Sequence, residues 1–177
     1  MTSKIDLRDI LVAHWQTLTT ENGQGIYVWD AVTFYALPVA LGCVSSWQGW
    51  LFNAQIYYTS TSVFGIFAGL LLNVQIGLFN IHVRNWRSPD NTLYKKALAD
   101  VENAKRVTLR QLNANVSYLI MIASVGVVMS LIYYALPTNR GIYTAILIAL
   151  YSHFLLSFLM SVKRSYLLFA QEYEHES

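Results

Sequence analysis

Charge is what this sequence is short of. From Ala31 to Val83 it runs 53 residues without Asp, Glu, Lys or Arg, about twice the ~20 apolar residues that one membrane crossing takes. Such a stretch must cross a bilayer twice and turn back between the crossings. Two further charge-free runs, Gln111 to Asn139 and Gly141 to Val162, are each long enough for one crossing and are parted by Pro137-Thr138-Asn139-Arg140-Gly141. Overall 55% of residues are hydrophobic and 12% charged, against roughly a quarter charged in an ordinary soluble domain. A soluble all-α protein fits poorly, because buried soluble helices rarely stay uncharged beyond about 14 residues.

Other absences narrow the function. Cys43 is the one cysteine, which excludes a disulfide framework and a cysteine-based zinc cluster. No carboxylate lies inside the apolar runs, and Asp30 is the nearest. Ion-coupled transport usually depends on an intramembrane acid, so that chemistry is disfavoured. His14, His82, His153 and His175 are scattered, HExxH is missing, no serine sits in a nucleophile elbow, and there is no glycine-rich phosphate loop. No enzyme, cofactor or metal site is expected. The opening thirty residues carry Asp6, Asp9, Glu21 and Asp30 without an apolar core and cleavage site, so no secretory signal is expected either.

What is present sets topology. Lys4, Arg8, Arg84, Arg87, Lys95, Lys96, Lys105, Arg106, Arg110, Lys163 and Arg164 fall on one side of the expected crossings, and Arg140 alone on the other. The excess marks the cytoplasmic side. Both termini and the middle loop are therefore expected inside. The fold class is all-α, an integral membrane protein with four transmembrane helices over about 31–52, 56–81, 115–136 and 141–162. Residues 1–30 are expected to hold a cytosolic amphipathic helix (3 to 18, with Leu7, Ile10, Leu11, Trp15 and Leu18 at helical spacing) and a turn at Glu21–Gly25. Pro38 should bend the first span. Neither Gly nor Pro occurs between Asp90 and Gly126, which predicts one uninterrupted helix from about 90 to 134, running from the cytosolic loop 84–114 into the third span. The fourth helix should likewise outrun the bilayer into the tail 163–177.

Three groups of residues stand out. Ser62, Gly65, Gly69, Asn73, Gly77, Asn80 and Arg84 fall within about 120° of one another at 100° per residue. They form a ribbon down the second span. Gly65 and Gly69 make a GxxxG pair, so the ribbon reads either as a helix-packing face with Asn73 bonded across it or as a pore lining with Arg84 at the inner mouth. His153, Ser157 and Ser161 form a second stripe on the fourth span, a proton relay or a set of interhelical bonds. The basic cluster of Arg84, Arg87, Lys95, Lys96, Lys105, Arg106, Arg110, Lys163 and Arg164 suits anionic lipid headgroups, or a phosphorylated ligand such as a nucleotide or oligonucleotide.

The runs Phe64–Asn73, Leu112–Tyr118 and Phe34–Pro38 resemble segments of small four-span bacterial membrane proteins. Some similar proteins accompany nucleotidyltransferase-like enzymes in antiviral operons, notably the membrane effector of Hailong-type systems. The resemblance implies a homo-oligomeric channel controlled by an oligonucleotide, whose opening depolarises the infected cell. The leading expectation is thus an oligomeric pore, taken as a tetramer and gated from the cytoplasm. The competing expectation is a non-conducting anchor or scaffold for a cytosolic partner protein, and the third is a small transporter dependent on His153.

Overall fold

The computed structural model describes residues 7–17, 29, 32–83, 92–136 and 139–176, with the side chains of 81–83, 92–105, 168–169 and 171–176 outside the description. The described elements are helical: α1 (Arg8–Gln16), a π-helical turn (Val32–Ala36) leading into α2 (Leu37–Trp47), α3 (Ala54–Val83), α4 (Thr92–Ala135) and α5 (Arg140–Glu176). Among them α3, α4 and α5 contain segments long and apolar enough to cross a membrane, at Ala54–Asn80, Arg106–Ala135 and Arg140–Leu167. The uninterrupted 44-residue α4 is about 66 Å long at 1.5 Å per residue. It is the single rod that the missing breakers predict.

The expected first span is shorter than the others. Its apolar helix covers Val32–Trp47, about 24 Å, against a hydrocarbon core of ~30 Å. Pro38 stands at the start of α2, directly after the π-helical turn. Without a backbone N–H it cannot donate to the carbonyl of Phe34, so the regular ladder stops there. At the far end Gly49, with a φ of +68°, lets the chain leave α2. The Asn53 side chain then caps α3 by accepting from the Ile56 N–H at 2.9 Å.

α3 and α4 form the central antiparallel pair. On α3 the buried residues Tyr57, Phe64, Leu71 and Leu78 recur at every seventh position. On α4 Leu109, Leu112, Val116, Leu119, Ala123, Gly126, Ser130 and Tyr133 recur at alternating steps of three and four. A repeat of 3.5 gives knobs-into-holes packing with a left-handed supercoil. Tyr57 meets Tyr133 with ring centres 3.8 Å apart, and Gln75 Nε2 donates to Ser117 Oγ at 2.9 Å. Midway between these contacts Phe64 lies so flat on Gly126 that an added Cβ would stand 2.6 Å from its ring.

The third side of the core comes from α5, whose Tyr151 stacks on Phe64 at 4.5 Å and whose Phe154 meets Phe67 at 5.2 Å. α2 packs against α5 rather than against α3 or α4. Its small buried residues Pro38, Gly42 and Ser45 permit this approach, since a Cβ on Gly42 would come within 2.7 Å of the Ala145 carbonyl. With α2 on α5, the side of α3 that faces away from α4 has no helix across it among the described residues.

Candidate functional site

That outward side of α3 carries the ribbon. Ser62, Gly65, Gly69, Asn73, Gly77 and Asn80 are all exposed, and a Cβ placed on Gly65, Gly69 or Gly77 would meet nothing within 4 Å. The reason is rotational. Asn73 is nine residues from Phe64, about 180° round the helix, so the heptad seam that buries Phe64 turns Asn73 directly away. Among the described residues nothing packs across the ribbon. Ile66 and Ile76, exposed at 62% and 60%, flank it with apolar surface. Gln75 lies off the ribbon and is bonded to α4 instead.

The second polar region is closed and lies beneath α1. The face of α1 turned to the bundle is Ile10, Ala13, His14 and Thr17, spaced three and four apart. The expected apolar arc is rotated partly outward, leaving Leu7, Leu11 and Trp15 exposed at 48%, 46% and 44%. The His14 ring stacks on Tyr118 of α4 with centres 3.7 Å apart and planes within 4°. Its Nδ1 lies 2.9 Å from Asn115 Oδ1, which also accepts from the Thr17 hydroxyl at 2.9 Å. An amide oxygen only accepts, so the His14 proton sits on Nδ1. Arg164 of α5 donates from Nη2 to the Thr17 carbonyl at the C-terminal end of α1, where a cation also suits the helix dipole. Burial lowers the His14 pKa from 6.5 to about 4; the Asn115 bond opposes the shift, while His153 and Arg164 add to it through charge.

The stripe on α5 joins this region at its upper end. His153 Nδ1 donates to the Phe34 carbonyl at 2.6 Å, the acceptor that Pro38 leaves without its helical donor. The Tyr118 hydroxyl bonds to His153 Nε2 at 2.7 Å. With the proton on Nδ1, Nε2 is the acceptor and both ring nitrogens are engaged. Ser161 Oγ donates to the Ser157 carbonyl at 3.0 Å, whereas the buried Ser157 hydroxyl has no partner among the described residues, nor do His14 Nε2 and Asn115 Nδ2.

The basic cluster is divided. Arg106 and Arg110 line a cavity between α3 and α4, Arg164 is turned onto α1, and Lys163 is exposed. Arg84, Arg87 and the side chains of Lys95, Lys96 and Lys105 lie outside the described residues. Among the described residues no group of His, Cys, Asp or Glu is arranged to hold a metal ion.

Sequence reasoning missed His14, Thr17, Asn115 and Tyr118 as a unit, since His14 and Asn115 are 101 positions apart. The available signal was a histidine within the apolar arc of an amphipathic helix. Comparison of the chain with protein-family profiles, with curated proteins and with solved structures gave no match.

Proposed function

We propose that the chain is one subunit of an oligomeric membrane pore of the bacterial inner membrane, with four crossings, both termini in the cytoplasm, and α3 facing the shared axis. The observation that carries this reading is the outward placement of Ser62, Gly65, Gly69, Asn73, Gly77 and Asn80 on a helix long and apolar enough to cross a membrane. In a lone protomer those amides would face hydrocarbon, where an unsatisfied polar group costs several kcal/mol. Water in a lumen, or further copies of α3, would satisfy them. In this assembly Val32–Trp47 supplies the remaining crossing, shortened by its π-helical start and completed by the flanking apolar residues. The exposed Leu7, Leu11 and Trp15 support a position of α1 at the lipid interface.

Gating would pass through the rods. α4 runs without a break from the cytosolic loop to the far membrane face and is bonded to α3 through Gln75 and Ser117. A ligand on the cytosolic half, an oligonucleotide as the resemblance to antiviral effectors implies, would thereby act on α3 as a tilt or rotation. The GxxxG pair favours a second reading, a non-conducting scaffold for a cytosolic partner in which α3 helices meet closely and leave no lumen. The small transporter has less support, because both ring nitrogens of His153 are engaged.

Two measurements separate these. In a Cys43→Ser background, Gly69→Cys should form disulfide-linked dimers in membranes, since a Cβ at position 69 has nothing within 4 Å. Reconstituted in liposomes, the protein should dissipate an ion gradient, and Asn73→Leu should abolish the flux. Cross-linking without flux at any applied potential selects the scaffold. Neither cross-linking nor flux overturns both readings.

A further inference from the structure

The cavity between α3 and α4 is built for an amphiphile. It has a volume of about 610 Å3, with Leu78 and Phe79 of α3 and Val107 and Leu109 of α4 as its apolar wall. Its polar side is Arg106, Arg110 and Asn113, spaced four and three on α4 and so stacked along one face of that helix. Phe79 and Val107 are exposed at 65% and 56%, which opens the apolar wall laterally to whatever surrounds the bundle.

Depth assigns the occupant. The charge-free run that holds α3 ends at Val83 and that of α4 begins at Gln111, directly after Arg110, so both helices leave the apolar layer at this cavity. That is the level of lipid phosphates. Below it the wall offers hydrocarbon contacts, and at it a guanidinium fork and an amide offer phosphate-oxygen donors. A soluble phosphate would use the donors and leave Phe79 and Val107 unserved; a zwitterionic lipid would bring its own cation against the arginines.

We infer that this cavity binds the phosphate and upper acyl chains of an anionic phospholipid. The site requires only that α3 and α4 cross the membrane, so it stands whether or not the protein conducts. Because Leu78 and Phe79 lie between Gly77 and Asn80 on α3, an occupied site braces the helix that carries the outward ribbon.

The test uses the full chain in detergent and follows thermal unfolding with short-chain phosphatidylglycerol, phosphatidylcholine of the same chains, or inorganic phosphate. Phosphatidylglycerol should raise the midpoint in a saturable manner, with the other two giving little change. Arg110→Gln, and the nearly isosteric Asn113→Asp, which sets a carboxylate against the phosphate, should each weaken the phosphatidylglycerol effect about tenfold or more. Equal stabilisation by phosphatidylcholine would show acyl solvation alone and overturn the proposal. Inorganic phosphate matching phosphatidylglycerol would overturn it in favour of a soluble ligand. An undiminished phosphatidylglycerol effect in a folded Asn113→Asp protein would also refute it.

Discussion

The polar atoms beneath α1 and those along the outer side of α3 sit on the same helical core, the first turned inward onto one another and the second turned out. Under α1, most donors meet an acceptor from a distant helix: His14 with Asn115, His153 with Phe34 and Tyr118, Arg164 with Thr17. On α3, six small or polar residues in register meet no other helix among the described residues. Inward polar groups fix how one chain folds, whereas outward ones at membrane depth require a second molecule or water. Asparagine thus serves tertiary structure at Asn115 and, in the proposed assembly, contact between subunits or with water at Asn73.

The largest effect expected from disturbing this contrast is a pH effect on α1. His14 is neutral when docked, with a pKa of about 4 against 6.5 when free. Docking is therefore fully favoured above pH 6.5 and weakens as pH falls from 6.5 towards 4, by about 3 kcal/mol in all. His153 and Arg164 from α5 oppose a positive His14, and Tyr118 from α4 covers it without a charge. The hydrogen-exchange protection factor over Arg8–Gln16, taken relative to the intrinsic exchange rate at each pH, should fall as pH is lowered across that window and stay flat in His14→Gln. Protection independent of pH in the native protein would mean that His14 is not held as described.

Glycines sharpen the comparison. Gly126→Val must displace the buried Phe64 ring, so subunit stability should fall by about 1–3 kcal/mol or more. Gly69→Val meets open space, so the subunit should unfold at the native midpoint while light scattering in detergent reports a smaller assembly. A Gly69→Val protein that is destabilised as much as Gly126→Val would place the ribbon inside the fold and remove the distinction.

A smaller effect of the same kind contrasts His153 with Asn73. His153→Leu strands the Tyr118 hydroxyl and the Phe34 carbonyl, and each interhelical bond of this sort contributes about 0.6 to 1.7 kcal/mol. The expected loss is about 2 kcal/mol in the unfolding of the subunit. Asn73→Leu should leave that value within about 0.5 kcal/mol and change only oligomer size or flux.

Much of the fold could be read from residue patterns. Three helices with long apolar segments, the unbroken α4, the overlong α5 and the break at Pro38 follow from composition and from where Gly and Pro stand. The ribbon was visible as a shared face, but periodicity says which residues lie together and not what lies opposite them. That depends on α2 choosing α5 over α3, a choice made by the fit of Gly42 to Ala145 and Ala149. The cluster under α1 was illegible for a different reason. Leu112-Asn113-Ala114-Asn115 offers two asparagines, and a rotation of about 200° decides that Asn115 is buried and Asn113 exposed. The apolar arc of α1 misled as well, since in lipid an apolar face need not be the buried one.

The smallest expected effect tests where the inward network ends. Ser157 is 1% exposed, and its hydroxyl has no hydrogen-bond partner among the described residues, although it lies one turn below His153. A buried hydroxyl without a partner is a desolvation cost with no return, so Ser157→Ala should leave unfolding unchanged or stabilise it by up to about 1 kcal/mol. Ser161→Ala removes a donor to the Ser157 carbonyl and should cost a few tenths of a kcal/mol, about the lower range for such bonds. If Ser157→Ala instead destabilises by more than Ser161→Ala, the hydroxyl has a partner in the working protein and the inward network continues down α5. The stripe of His153, Ser157 and Ser161 would then be a connected polar path rather than one bonded histidine above two ordinary helix serines.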